Sequence, residues 1–413
     1  MPAYLIHPKG IVVNHIGIRS RLALLAVAVA AVMAASCSTS TAAAQPAAHG
    51  VEAPIDTIPW SHVGPGWMLA EWTPATSHRP GEMPAPNEPT WDKVATTLYL
   101  VDPAGGRYPI ITFPPGSTAR LVDWSGDRSR ALFDVAKPGS MTGGTVISVD
   151  LRNGKQIAFP VGKGGPIGYA RPDGTAVLIN QGRYRDDPGL LERVDLAGKP
   201  ELTYPLGKDY TGGVLATPDG AQLVLGTSKG LALMGNDGTP GKELPVPGKL
   251  STCSPIRWWS STVVLARCRD ATRFSSAGQL WQVPIDGTAP TALTAVNSAQ
   301  GDDPGFAGDY GDVDAWQLPS GTFLQSLGAC GTMFLSRLTP DGHTTRVKVP
   351  GVSSSVHVNG VSGDKLVLVA KAGCGGGTSL LTYDPVANTH TVLLGPTVNG
   401  GSVVEAIVYP SQK

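Results

Sequence analysis

The side chains best placed to do chemistry in this 413-residue chain are charged groups gathered among glycines. Asp302, Asp303, Asp309, Asp312 and Asp314 fall within 13 residues, in the stretch VNSAQGDDPGFAGDYGDVD (296–314), which also carries Tyr310. Clustered carboxylates can wrap a hard cation such as Ca²⁺, which needs several oxygens. The spacing follows no calcium-loop pattern, so a solvated acidic loop is the expectation and no metal is assigned. RYRDD (183–187) offers Arg183, Tyr184 and Arg185, able to contact an anionic or aromatic ligand, or to be held by the aspartates beside them. RDATRFSSAG (269–278) adds Arg269 and Arg273. Trp124, Trp258, Trp259 and Trp316 could stack on sugars, but packing is the expectation for them.

Catalytic constellations are scarce. The sequence holds no G-x-S-x-G elbow, no H-E-x-x-H and no Cys/His zinc spacing. The eight histidines, His7, His15, His49, His62, His78, His343, His357 and His390, are scattered. No catalytic residue and no cofactor are assigned. A site assembled from several distant segments would leave no local motif, so an enzyme stays open as an alternative.

The N-terminus reads as a targeting segment. Arg19 and Arg21 precede the 14-residue apolar run Leu22–Ala35, too short to span a bilayer comfortably and suited to a signal peptide. MAASC places Cys37 after small residues and resembles a bacterial lipobox, with Ala34 where Leu is usual. The expectation is lipidation at Cys37. Ordinary cleavage after Ala44 is the alternative. Residues 1–36 are then signal peptide and 37–64 a lipidated, flexible tether without periodicity.

Lys plus Arg equals Asp plus Glu, 32 of each, and no basic tract points to nucleic acid. From residue 65 the chain alternates short apolar runs with turns drawn from its 52 glycines and 36 prolines. Convincing amphipathic helices are missing, so the pattern is all-β. One signature, an apolar strand ending in an acidic turn, recurs in VISVDLRNG (146–154), LERVDLAG (191–198) and FLSRLTPDG (334–342). A second, strand–turn–strand, recurs in LVDWSGDRSRALFDV (121–135), GYARPDGTAVLIN (168–180) and GVLATPDGAQLVLG (213–226). Together they give a unit of four strands, A to D. The A–B turns fall at Ser125, Pro172, Pro218, Ser260, Pro319 and Ser362. A period of this length with four antiparallel strands indicates a propeller blade.

The ends complete the count. The chain begins with strands B, C and D at 66–72, 96–102 and 108–114 and ends with an A-like strand at 402–411. Residues 65–413 are therefore expected to form a seven-bladed β-propeller of four-stranded antiparallel blades. The C-terminal strand would join the N-terminal blade and remove the open edges. The A–B turns WSGD, RPDG and TPDG, paired with C–D turns of the VDLxG kind, resemble the TolB-like repeat family over roughly 65–411. The resemblance implies the propeller fold, and with the N-terminal segment and Cys37 the expectation is a TolB-like repeat protein of the bacterial exported lipoprotein type.

The repeat places the cysteines. Cys253 and Cys268 flank the A–B turn of blade 5 symmetrically and would face each other, within disulfide reach. Cys330 and Cys374 occupy equivalent B–C loops of blades 6 and 7 and could staple neighbours. His357 lies in strand A of blade 7 and could face the central channel, but a lone histidine there is more often structural. The long loops belong to the B–C and D-to-A face, so the candidate binding surface there comprises Arg183, Tyr184, Arg185, Arg269, Arg273, Asp302, Asp303, Asp309 and Tyr310. The functional expectation is a monomeric cell-envelope interaction module, anchored to the membrane by lipid, binding a protein or envelope polymer and no nucleic acid. An extracytoplasmic propeller enzyme of lyase, lactonase or hydrolase type is the alternative.

Overall fold

The computed structural model of the protein describes residues 52–76, 83, 86–136, 144–182, 189–270, 278–296, 311–327, 333–372, 377–395 and 401–410. The described strands form seven four-stranded antiparallel sheets. Blade 1 contains β1 (Met68–Thr73), β2 (Thr96–Val101) and β3 (Arg107–Phe113), with β28 (Ser402–Val408) on the inner side of β1. The other sheets take four strands each in chain order: β4–β7 over 119–161, β8–β11 over 165–203, β12–β15 over 210–245, β16–β19 over 252–292, β20–β23 over 311–346 and β24–β27 over 352–394. The expected seven-bladed propeller, closed by the C-terminal strand, is the observed fold.

The apolar alternation of each blade is buried against the next blade rather than within its own sheet. Each of the seven core clusters straddles one blade–blade seam. Trp124, Phe133, Leu98 and Leu100 fill the seam of blades 1 and 2. At the opposite extreme, Leu265, Leu280, Ala315 and Leu324 are the buried members between blades 5 and 6. A single sheet cannot bury both faces, so the ring is the smallest unit that hides this apolar surface.

Local chemistry fixes the hairpins. Every C–D turn carries an aspartate, at its start for Asp102, Asp150, Asp195 and Asp384 and at its third position for Asp237, Asp286 and Asp341. Each carboxylate accepts the backbone N–H two residues on, at 2.7–3.4 Å. This side-chain mimic of a turn hydrogen bond is why the acidic signature recurs where it does. The A–B pairings all carry a register shift, between Leu121 and Asp123, Pro255 and Arg257, and Asp312 and Asp314 among others. Such bulges twist the inner strand and re-aim side chains.

Polar side chains then staple all seven seams. Glu71 Oε2 accepts Leu121 N at 2.9 Å between blades 1 and 2, and Asp123 Oδ2 accepts Tyr169 N at 2.8 Å between blades 2 and 3. Asn180 donates to Gly212 O, and Thr211 to Cys253 O, at the next two seams. Arg257 pairs with Asp314 between blades 5 and 6, Gln325 bonds Val356 O and Val358 N between 6 and 7, and Asn359 donates to Ala406 O between 7 and 1.

Beyond β28, Tyr409 N donates to Trp67 O at 2.8 Å, and Tyr409 Oη donates to Gly126 O of blade 2 at 2.7 Å. Residues 52–63, which the sequence reading places in the tether, lie against the propeller. Glu52 bridges Arg107 at the outer edge of blade 1, Ile58 and Val63 are buried, and Arg128 Nη1 holds Val63 O at 2.6 Å. Among the described residues no helix is long and apolar enough to cross a membrane.

Candidate functional site

The innermost strands of four blades converge on a cavity of about 420 Å³. It is lined from β16 (Thr252–Trp258), β20 (Gly311–Leu318), β24 (Val352–Ser362) and β28. The lining residues come from the later halves of these strands, so the cavity lies at the A–B-turn end of the channel. The long-loop face, where the sequence reading puts the binding surface, is at the other end.

Four polar groups define it. Arg257 Nε donates to Asp314 Oδ1 at 2.7 Å and Nη2 donates to Oδ2, a bidentate pair whose side chains are 13% and 17% exposed. The planar fork of a guanidinium suits this geometry. Arg257 also lies over the Trp316 ring, 4.4 Å from its centroid. Both charged residues follow an A–B bulge, which turns them toward each other across the seam with the smallest buried apolar cluster. On the far wall, Asn359 Nδ2 donates to Ala406 O at 2.8 Å and approaches Glu405 Oε1 at 3.4 Å. Asn359 Oδ1 is a buried acceptor without a hydrogen-bond partner. Glu405 is half-buried and also accepts its neighbour Ala406 N at 3.2 Å. His357 borders the cavity, partly buried.

Behind Glu405 stands Glu71, its register partner on β1 and fully buried. Burial pushes the Glu71 carboxyl up to about 8, against the bond from Leu121 N, and the charge of Glu405 adds to the rise. At neutral pH Glu71 is therefore mainly the neutral acid.

The other expectations distribute as follows. Cys253 and Cys268 pair in register on β16 and β17 (Val263–Arg269) and form a disulfide with Cα atoms 4.0 Å apart. Cys37, Cys330, Cys374, Arg183, Tyr184, Arg185, Arg273, Asp302, Asp303, Asp309 and Tyr310 lie outside the described residues. Arg269 is exposed at the end of β17, on the long-loop face. Of the acidic run, Asp312 is buried and accepts Ser326 Oγ at 2.8 Å, while Asp314 belongs to Arg257. No metal-holding group of three acidic, His or Cys side chains occurs among the described residues. The tryptophans pack: Trp124 is fully buried, and Trp258 donates to Ala216 O at 2.9 Å. Trp259 and Trp316 also border the cavity. Arg257, Asn359, Glu405 and Glu71 are not singled out by the sequence, because nothing local marks which strand residues a bulge turns inward.

No protein-family model matches the chain, and no curated protein matches it. Among solved structures, 81% of the chain aligns with 52% of prolyl oligopeptidase B from Galerina marginata, at 11% identity and a TM-score of 0.48. A further 82% alignment covers 66% of TolB from Acinetobacter baumannii (10% identity, TM-score 0.41). An oligogalacturonate lyase in complex with manganese is matched over 79% of this chain and 85% of its own length (16% identity, TM-score 0.44). The chain spans about half the length of the prolyl peptidases it matches. The likeness in each case is one of fold.

Proposed function

We propose that the protein is an interaction module of the cell envelope. It is exported, held at the outer face of the membrane through lipidated Cys37, and presents a monomeric propeller to a protein or envelope-polymer partner. The observation that carries this reading is the cavity on the A–B-turn face. Four blades build it, and Arg257, Asp314, Asn359 and Glu405 are each oriented there by contacts across or beside a blade seam. Groups fixed before a partner arrives lose little freedom on binding, which favours recognition. The volume lies in the range of pockets that enclose small ligands, roughly 300–1,000 Å³, and suits a projecting side chain or short segment. The Cys253–Cys268 disulfide supports work in an oxidising compartment.

His357 favours a second reading. Its imidazole borders the cavity without a hydrogen-bond partner among the described residues, in the same lining as Asn359 and Glu405. A free imidazole there could move a proton in an extracytoplasmic enzyme of lyase, lactonase or hydrolase type.

The test is crosslinked capture of the full chain from its own envelope, with two variants on opposite faces. Gln317→Trp fills the mouth of the cavity from an exposed position, and Arg269→Glu reverses charge on the long-loop face. The proposal expects a partner that Gln317→Trp loses and Arg269→Glu retains. The reverse pattern moves the partner to the long loops. Turnover of a small-molecule panel abolished by His357→Ala, with no partner recovered, establishes the enzyme.

A further inference from the structure

We propose that this cavity recognises a cation, the ammonium of a lysine or the guanidinium of an arginine projecting from the partner. The inference rests on the reading of the cavity as the docking site and adds the chemistry of what enters it.

The argument is one of charge and unmet hydrogen bonds. Among the cavity's lining residues Arg257 is the one lysine or arginine, and Asp314 already neutralises it in a bidentate pair; His357 also borders the cavity, but no ion pair joins it to Glu405. Glu405 has no such partner: its contacts are the neutral amide of Asn359 at 3.4 Å and the backbone of Ala406 at 3.2 Å. A half-buried carboxylate without a counter-ion is under-satisfied, and a charge-assisted donor is what it lacks. Lysine and arginine carry donors only, so they complement the Glu405 carboxylate where a carboxylate or phosphate would meet like charge. An anion would also have to displace Asp314 from Arg257.

The walls agree with the polar groups. Trp259, Trp316 and Tyr409 border the same cavity. Aromatic faces attract cations, as the seating of Arg257 over Trp316 already illustrates. Their apolar area also suits the methylene stem of a long basic side chain.

The experiment uses the full chain and four probes: N-acetyl-lysine methylamide, N-acetyl-arginine methylamide, the glutamate counterpart and the norleucine counterpart. Binding is read by calorimetry and by the fluorescence of the cavity tryptophans. The expected result is binding of the two basic probes only. Glu405→Gln should weaken it about tenfold or more, the loss typical of a charge-assisted bond. Gln317→Trp should abolish it while leaving Glu405 in place. Equal binding of the norleucine probe, binding of the glutamate probe, or basic-probe binding indifferent to Glu405→Gln overturns the proposal. Partner capture lost in Gln317→Trp with no basic-probe binding overturns the cation and leaves the docking reading intact. Basic-probe binding that depends on Glu405, with partner capture indifferent to Gln317→Trp, overturns the docking reading instead.

Discussion

Glu71 and Glu405 stand opposite each other in the ladder that closes the ring, one on β1 near the chain's start and one on β28 near its end. Two carboxylates in register at the closure seam would repel if both were ionised. The protein avoids this by burying Glu71 fully, which holds it protonated to about pH 8, while Glu405 faces the cavity.

That arrangement sets a pH dependence whose sign can be worked out. An unfolded Glu71 loses its proton near pH 4.5, whereas the folded one keeps it to about 8. Between those values the native state holds more protons than the unfolded state, so stability falls as pH rises through the window. One such group contributes a slope of about 1.4 kcal/mol per pH unit at most. Glu71→Gln keeps the shape and removes the titration. Urea denaturation at several values between pH 5 and 8.5 should give a flatter profile for the variant and greater relative stability at the alkaline end. Identical slopes in the two proteins would refute the account.

A second expectation concerns Arg257 and Asp314, which cross the seam with the smallest buried apolar cluster. Removing one partner leaves a mostly buried charge unanswered, so Asp314→Asn or Arg257→Gln should each cost about 3–5 kcal/mol. The double variant should recover part of that loss, and a double-mutant cycle on denaturation free energies measures the coupling. Strict additivity would show that the pair adds nothing across the seam.

Much of this fold is legible in the sequence, and the reason is local. Turn chemistry such as the Asp150 or Asp195 carboxylate folding back on its own backbone is written in consecutive residues, so the C–D turns can be read directly. Cys253 and Cys268 are similarly readable because they sit symmetrically about one tight turn. The candidate site is another matter. Asp314 looks like a member of an acidic loop, but a bulge after Asp312 turns it onto Arg257, a residue 57 positions away. Bulge registers and contacts between inner strands of adjacent blades leave no trace in local polarity.

The disulfide gives a third prediction. Peptide mapping without reduction should recover the Cys253–Cys268 crosslink, whose separation is 15 residues. Chain-entropy reasoning for a loop of that size assigns it about 3 kcal/mol, so Cys253→Ala/Cys268→Ala should unfold at markedly lower urea concentration with its fold retained. The same map reports whether Cys330 and Cys374 are joined. Free thiols at Cys253 and Cys268 would remove the oxidised-compartment support from the functional proposal.

The last prediction separates two identical turns. TPDG occurs at 217–220 and at 339–342, yet the glycines do different jobs. Gly220 ends an A–B turn that nests against blade 3: a Cβ there would lie 1.9 Å from Arg171 O, a backbone atom that cannot swing aside. Gly342 ends a C–D turn, where the nearest atom to a Cβ is 3.3 Å away. Both have positive φ, +71° and +84°, so any other residue bears a left-handed penalty of about 1–2 kcal/mol at either site. Only Gly220 adds a clash, which costs a further 1–3 kcal/mol or so as the turns of blades 3 and 4 separate. Gly220→Ala should therefore destabilise the protein about twice as much as Gly342→Ala in equilibrium denaturation. Equal losses would mean that the recurring motif reports turn conformation alone, and that blade-to-blade approach plays no part in keeping glycine there.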